Sequence, residues 1–129
     1  IFGKICEFLF AKHNKYGNME WQIVFYSNLL EQELLALPEE TLAKLLRYLD
    51  RMLIYGPDLG MPHTRAMGSG LFELRIKSKT RNERVFYCTL SGKQIVFLHH
   101  FSKKSQKTPV RILDIAKTRM KEVKNARLH

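Results

Sequence analysis

Residues 71–109 read LFELRIKSKTRNERVFYCTLSGKQIVFLHHFSKKSQKTP, and this stretch decides the fold. Its first seven residues alternate between apolar and polar side chains, which is the period of a strand with one buried face. The apolar positions are Phe72, Leu74 and Ile76, and the polar positions are Glu73, Arg75 and Lys77. We therefore expect the polar side chains to share the open face of a sheet.

Two more strand-like segments follow in the same stretch. Val85–Cys88 is β-prone but does not alternate cleanly, so its pattern leaves open which way the neighbouring Arg84 points. Residues 95–98, IVFL, are apolar on both faces, which is typical of a central strand. The turn SGK at 91–93 fits a short hairpin loop. Together these segments predict a small antiparallel sheet with cationic residues at the ends of its strands.

The chain before residue 56 predicts one strand and two helices. Alternation over Glu20–Tyr26 indicates the strand, and Ser27 is placed to cap a helix over Asn28–Leu37. A second helix follows the break at Pro38, ends at Gly56, and carries one apolar stripe at helical spacing. The stripe is formed by Leu42, Leu45, Leu46, Leu49, Met52 and Leu53. Two helices joined in this way can fold back on each other and cover one face of the sheet.

Residues 56–70, GPDLGMPHTRAMGSG, are rich in Gly and Pro and predict the longest loop of the domain. Long loops often carry function, so His63 and Arg65 are candidates for ligand contact, although a plain surface connection explains the segment equally well. Thr108 and Pro109 then form a typical helix start. The helix that follows has an apolar stripe formed by Ile112, Ile115, Ala116, Met120 and Val123.

The order of these elements predicts an α+β fold. A small four-stranded sheet, antiparallel or mixed, is covered by an N-terminal helix pair, and one further helix lies at the C-terminus. Since 129 residues suffice for one hydrophobic core, we expect a single domain over residues 19–126. Residues 1–18 stand apart as a leader or an extension, because Met19 directly precedes the first predicted strand.

The amino-acid composition excludes some classes of protein and favours others. A hydrophobic content of 45% excludes a disordered chain, and no apolar run reaches membrane-spanning length. The formal net charge of +10 favours a polyanionic partner, foremost nucleic acid, although an acidic protein is also compatible with it. The only cysteines, Cys6 and Cys88, lack metal-ligand spacing, so no disulfide framework or zinc site is expected. These features fit a protein of the reducing cytoplasm.

The segments LFELRIK, NERVFY and FLHHFSKKSQKTP, followed by a helix with Ala116 and Arg119, resemble the phage-derived branch of HigB-type toxins in the RelE/ParE superfamily. The resemblance covers about residues 20–126, and the ending FSKKSQKTP is its most specific part. It implies the toxin of a type II toxin–antitoxin pair, an endoribonuclease that cleaves mRNA, usually on the ribosome. The implied partner is an antitoxin with a helix-turn-helix domain (HigA-like), and operator DNA would be bound only through that antitoxin.

The resemblance also implies roles for individual cations. Arg84 matches the arginine that faces the scissile phosphate in RelE-like enzymes. Arg75 and Lys77 match the basic end of the first hairpin strand. Lys103 and Lys104 match the basic residues that follow the last strand.

The chemistry of RNA cleavage can be compared with these residue types directly. Metal-independent cleavage uses the neighbouring 2′-hydroxyl as nucleophile, so it requires a proton acceptor, cations around the phosphate and a proton donor for the leaving oxygen. The guanidinium of Arg84 can bind two phosphate oxygens at once. We assign catalysis to Arg84, Lys103, Lys104 and His99, and substrate binding to Arg75, Lys77, His100 and Tyr87. No cofactor or metal is expected.

The assignment of proton donor and acceptor stays open at this level. A lysine among several cations or one of the two histidines is a candidate, since histidine ordinarily titrates near neutral pH. Adjacent residues on a strand point to opposite faces, so at most one of His99 and His100 faces the RNA. Some relatives place a His or Tyr near the C-terminal end, whereas this chain has neither between Ser105 and Leu128. Tyr87 is a candidate for stacking on a base, with a core position as the alternative.

Two other functions share this pattern. The chain is also compatible with a ParE-like gyrase inhibitor that cleaves nothing, or with a basic RNA-binding module that has no catalytic activity. The decisive geometric expectation is common to the nuclease and the binder: Arg75, Arg84, Lys103 and Lys104 must gather on one side of the sheet.

Overall fold

The computed structural model describes residues 20–128, so the expected leader or extension at 1–18 lies outside the described residues. The elements are, in chain order, β1 (Gln22–Phe25), α1 (Asn28–Leu35), α2 (Glu39–Tyr55), β2 (Thr64–Gly68), β3 (Leu71–Lys77), β4 (Asn82–Leu90), β5 (Gln94–Ser102) and α3 (Val110–Leu128). No helix within residues 20–128 is long and apolar enough to cross a membrane.

The strands form one mixed sheet in the order β1-β5-β4-β3-β2. β1 pairs with β5 in parallel, and the other neighbours pair antiparallel. The predicted α+β class, with a helix pair before the main hairpins and a helix after them, is confirmed. The predicted number of strands is wrong, since the described residues contain five strands rather than four.

The additional strand, β2, lies inside the segment that was expected to be a long loop. It pairs with β3, and Thr64 is opposite Leu74. The connection to β3 is tight because Gly68, Ser69 and Gly70 all have positive φ, at 95°, 55° and 86°. Only Thr64 of this strand is buried. The sequence TRAMG therefore lacks the apolar alternation that would have indicated a strand.

The helix pair covers one face of the sheet, as predicted. Ser27 caps α1 by accepting a hydrogen bond from the backbone N–H of Leu30 at 3.1 Å. The helix ends at Leu35, two residues earlier than expected, and α2 begins directly after Pro38. The buried side chains of this layer are Ile23, Leu30, Leu34, Leu37, Leu45, Leu49, Met52, Leu53, Leu74, Ile76, Val85, Tyr87, Ile95 and Phe97.

The C-terminal helix packs against the other face of the sheet. Its first turn hydrogen-bonds to the carbonyl of Pro109, so the helix begins one residue later than the predicted start. Ala116 and Met120 are its buried residues, and they belong to the second core with Leu71, Phe86, Cys88, Val96 and Leu98. Beyond Phe86 and Phe101 this face carries charged side chains.

Leu49→Ala is expected to lower the free energy of unfolding by about 2–5 kcal/mol, because Leu49 is fully buried between α2 and the sheet. Leu29→Ala on α1 is the matched control. Leu29 is 68% exposed, so its truncation should change stability by no more than about 0.5 kcal/mol. Chemical denaturation followed by circular dichroism measures both, and equal losses in the two variants would contradict the core described above.

Candidate nucleic-acid interface

The charged end of the sheet lies on the same face as α3. The strand register places side chains of β3, β4 and β5 in three successive rows across this face. From α3 outward, the rows are Glu73–Phe86–His99, Arg75–Arg84–Phe101 and Lys77–Asn82, with Lys103 beside Asn82. Arg84 therefore shares a face with Arg75, which the sequence pattern had left open.

The outermost row opens into a pocket, which we call the basic pocket. It has a volume of about 490 Å³ and is lined by Lys77, Ser78, Lys79, Thr80, Arg81, Asn82, Ser102, Lys103 and Lys104. Five of these nine residues are cations, and the others carry hydroxyl or amide groups. The sheet thus brings Lys77, Lys103 and Lys104 together in the basic pocket, whereas Arg75 and Arg84 share the same face of the sheet but do not line the pocket. Such a surface attracts phosphate groups through charge and offers neutral hydrogen-bond partners beside them.

The wall of the basic pocket is held by hydrogen bonds to its surroundings. Lys44 on α2 donates from Nζ to the backbone carbonyl of Lys77 at 2.6 Å. The hydroxyls of Thr41 and Ser78 lie 3.2 Å apart, which joins α2 to the start of the β3–β4 turn. On the opposite side, the backbone N–H of Lys103 donates to the carbonyl of Asn82 at 2.6 Å. The pocket is therefore fixed to both the helix pair and the sheet.

Arg84 lies beneath this surface and not on it. Its side chain is 8% exposed, and its Nε is 3.8 Å from Oε2 of Glu73. The other carboxylate oxygen of Glu73 is 3.8 Å from Nε of Arg75, whose side chain is 31% exposed. Burial lowers the pKa of Arg84, the nearby Glu73 carboxylate opposes that shift, and Arg75 adds to it. Arg84 is thus a fixed buried charge, whereas Arg75 reaches solvent.

Glu73 differs from the sequence expectation in one respect. The period of β3 correctly places it on the same face as Arg75 and Lys77, but it is buried and not open to solvent. The reason is that this row of the face lies close to the second core, next to Phe86. Its carboxylate serves as the counter-ion of the two arginines.

The two histidines point to opposite faces, as expected for adjacent strand residues. His99 faces α3, where its Nδ1 is 3.5 Å from Nη1 of Arg119. The pKa of His99 is lowered by burial first, and then by the charges of Arg119 and His100. His100 faces the helix pair and lies between the carboxylates of Glu83 and Glu33. Neither histidine lines the basic pocket.

The predicted role of Tyr87 in substrate binding requires correction. Tyr87 is fully buried in the core beneath the helix pair, on the face opposite Arg84. Its ring stacks on Phe72 at 5.3 Å between centroids, and its hydroxyl donates to the carbonyl of Pro57. Burial also raises the pKa of the hydroxyl. A base cannot stack on a ring that is enclosed in this way, so Tyr87 belongs to the core.

The loop candidates also lie elsewhere. His63 is half-buried, with its Nδ1 3.1 Å from the hydroxyl of Tyr48, and Arg65 is exposed on β2. Neither of them lines the basic pocket. Lys79 and Arg81 do line it and were missed, because only the cations within the strands and after the last strand were considered as candidates. The density of cations in KSKTR, residues 77–81, was the signal that could have identified them.

Among residues 20–128, no group of three or more His, Cys, Asp or Glu side chains is arranged to hold a metal ion. Together the fold and this surface define a basic α+β protein whose mixed sheet carries a cationic pocket at one end. The chain belongs to the family of phage-derived Gp49-like proteins (DUF891), which matches residues 32–121. No curated protein matches the chain significantly.

Glu73→Gln is expected to lower the free energy of unfolding by about 3 kcal/mol, because it leaves the buried charge of Arg84 without a counter-ion. Glu40→Gln is the matched control, since Glu40 also lies 3.8 Å from a cation, Lys44, but Glu40 is exposed to solvent and Lys44 is only half-buried. That change should cost less than about 1 kcal/mol. Urea denaturation at neutral pH compares the variants, and a Glu73→Gln protein as stable as the control would contradict the role of Glu73.

Proposed function

We propose that the protein is the toxin of a type II toxin–antitoxin pair and acts as an endoribonuclease on mRNA, in a ribosome-dependent manner. The observation that carries this proposal is the basic pocket, where five cations from two separate segments converge at one end of the sheet. The resemblance of residues 20–126 to the phage-derived branch of HigB-type toxins supports it. Membership of a phage-derived family agrees with that branch.

The charge and the shape of the basic pocket both suit the binding of a phosphodiester. A chain of single-stranded RNA places one negative charge at every nucleotide, and the basic pocket presents Lys77, Lys79, Arg81, Lys103 and Lys104 around an open space. Arg75 extends the positive surface along the sheet toward Arg84. In the proposed reaction these cations stabilise the additional charge that develops on the phosphate when the 2′-hydroxyl attacks it.

The roles within the reaction follow from exposure. Lys103 and Lys104 contact the phosphate and are the proposed donors or acceptors of protons, with Lys77 and Arg75 binding the substrate on either side. Arg84 acts from below as a fixed positive charge, held by Glu73. His99 remains a proposed proton carrier only for a substrate that extends from the basic pocket toward α3, since its ring lies one row beyond Arg84 on that side.

The proposed partners follow from the same function. The substrate is mRNA on the ribosome, and the protein acts in the cytoplasm without a cofactor. An antitoxin with a helix-turn-helix domain neutralises it and provides the contact with operator DNA. Expression of the protein alone should therefore stop growth, and co-expression of the antitoxin should restore it.

One observation favours a second candidate, an RNA-binding module without catalytic activity. The lining of the basic pocket contains no histidine, carboxylate or tyrosine, and both histidines of this region are directed elsewhere. Cleavage then depends on lysines for proton transfer, whereas binding needs no such group. The two candidates differ in whether bound RNA is cut.

Replacing Lys103 and Lys104 together with Ala should abolish growth arrest and reduce the rate of mRNA cleavage by about 10²-fold or more, by analogy with the loss of one charge-stabilising group in other active sites. The matched control replaces Lys117 and Lys121, which are exposed on α3, with Ala. It makes the same change in net charge away from the basic pocket and should leave the rate within about twofold, since distant surface charges act weakly through salt. Primer extension on mRNA in a translating extract measures both.

Primer extension, read together with growth, RNA binding and the integrity of DNA, separates the alternatives. Intact mRNA together with normal growth and folded, abundant protein would contradict the nuclease. Binding of RNA that weakens in the Lys103/Lys104 variant without any cleavage would assign the protein to the RNA-binding modules. Growth arrest with whole mRNA and broken DNA would assign it to the gyrase inhibitors.

A further inference from the structure

A continuous set of polar contacts leads from the basic pocket to the helix pair. The hydroxyl of Ser102, in the pocket lining, donates to Oε2 of Glu83 at 2.7 Å. Nη1 of Arg81, also in the lining, is 3.6 Å from the same oxygen. The other carboxylate oxygen of Glu83 is 2.8 Å from Nδ1 of His100. Nε2 of His100 is in turn 3.2 Å from Oε1 of Glu33 on α1.

Glu83 occupies the centre of this set and is almost fully buried, at 1% exposure. A buried carboxylate is costly unless hydrogen bonds and opposite charges compensate for the lost water. Here one hydroxyl, one guanidinium and one imidazole provide that compensation. Two of these three groups belong to residues that line the basic pocket, so the position of Glu83 also fixes part of the pocket wall.

We infer that Glu83 positions Arg81 and Ser102 in the wall of the basic pocket and links that wall to His100 and, through it, to α1. Glu83 does not itself line the pocket, so its role is to orient the groups that do. The inference rests on the proposed function in one respect, namely that the ligand of the pocket is the phosphate backbone of single-stranded RNA.

Phosphate binding and protonation of His100 should favour each other through Glu83. Glu83 is shared between Arg81 and His100, so a phosphate that draws Arg81 toward itself leaves the carboxylate to His100 and favours the protonated imidazole. Coupling between two sites is reciprocal, so protonated His100 must favour phosphate binding to the same extent. The positive charge of His100 also neutralises Glu83 beneath the pocket, which acts in the same direction. Binding should therefore be tighter when His100 is protonated.

The groups around His100 raise its pKa, so the change in RNA affinity should occur at a higher pH than the ordinary titration of histidine. The titratable groups that face it are Glu83 from β4 and Glu33 from α1, and the ring of His99 lies beside it on β5, at 6.3 Å between centroids. The hydrogen bond that protonated His100 donates to the Glu83 carboxylate is the main reason why the pKa of His100 is raised, and it outweighs the opposing effect of burial. RNA affinity should then be full below about pH 6.5 and fall as the pH rises through the raised pKa of His100.

The test uses a short single-stranded RNA whose 2′-hydroxyls are methylated, so that it binds but cannot be cleaved. Fluorescence anisotropy from about pH 5.5 to 9 should show a loss of affinity of about fivefold or more in the original protein, the lower end of ordinary coupling between sites. His100→Gln should abolish this pH dependence. His63→Gln is the matched control, because His63 is a half-buried histidine outside the set, and it should retain the dependence.

Two further variants separate positioning from folding. Glu83→Gln removes the carboxylate that Arg81 and His100 share, so it should flatten the pH dependence of binding and lower the pKa of His100 measured from its imidazole signals by NMR. Glu33 is at the exposed end of the set, so Glu33→Gln tests the same link without disturbing the core. That variant should move the midpoint of the affinity change to lower pH, because one of the carboxylates that raise the pKa of His100 is removed.

A pH dependence that survives in His100→Gln, or a midpoint unchanged in Glu33→Gln, would overturn the inference and leave RNA binding by the basic pocket intact. Absence of RNA binding by the original protein at every pH would overturn the proposed function together with the inference. The two failures are therefore distinguishable in one set of titrations.

Discussion

A five-stranded sheet has two faces to cover, and the described chain has three helices with which to cover them. α1 and α2 together bury one face over most of its width. α3 alone packs on the other face, and its apolar contacts end near Phe86 and Phe101. The remainder of that face has to be polar, because exposed apolar strands would invite aggregation. The uncovered end of that face is therefore polar, and in this chain its polar residues are mainly lysines and arginines.

The cations at this end are supported from beneath by two buried carboxylates. Glu73 lies between Arg75 and Arg84, and Glu83 lies beneath Arg81. Each carboxylate reduces the repulsion among neighbouring positive charges and holds their side chains in place. The surface that solvent meets is therefore basic, while the layer under it is neutralised. This arrangement allows a dense set of lysines and arginines to coexist with a stable fold.

The sequence predicted the parts of this structure that local rules determine. Ser27, Pro38 and Gly56 delimit the first two helices through their own backbone and capping preferences, and the alternation of β3 assigned its faces correctly. Strand β2 was missed because its five residues carry no apolar alternation and become a strand only by pairing with β3. Tyr87 was wrongly assigned to substrate binding. The pattern of its strand does not show that its hydroxyl finds a hydrogen-bond acceptor, the carbonyl of Pro57, inside the core.

The sequence identified several cations of the site, but it did not show how deeply each of them is buried. Lys77, Lys103 and Lys104 could be named from two separate segments, since their placement at strand ends brings them to one edge. The burial of Arg84 could not be foreseen, because the pattern of its strand left open the face on which it lies and gives no measure of how deeply a side chain is covered. Lys79 and Arg81 join the site only through the closeness of the β3–β4 turn to Lys103.

The central claim is that RNA binds at the end of the sheet that α3 leaves uncovered. The most direct measurement is the change in backbone amide NMR signals when a short, non-cleavable single-stranded RNA is added to the protein. The account predicts that the shifted signals cluster at residues 77–82 and 102–104, which line the basic pocket. Shifts confined to the outer surface of α3 around Lys117 and Lys121, with the signals of the basic pocket unchanged, would contradict it.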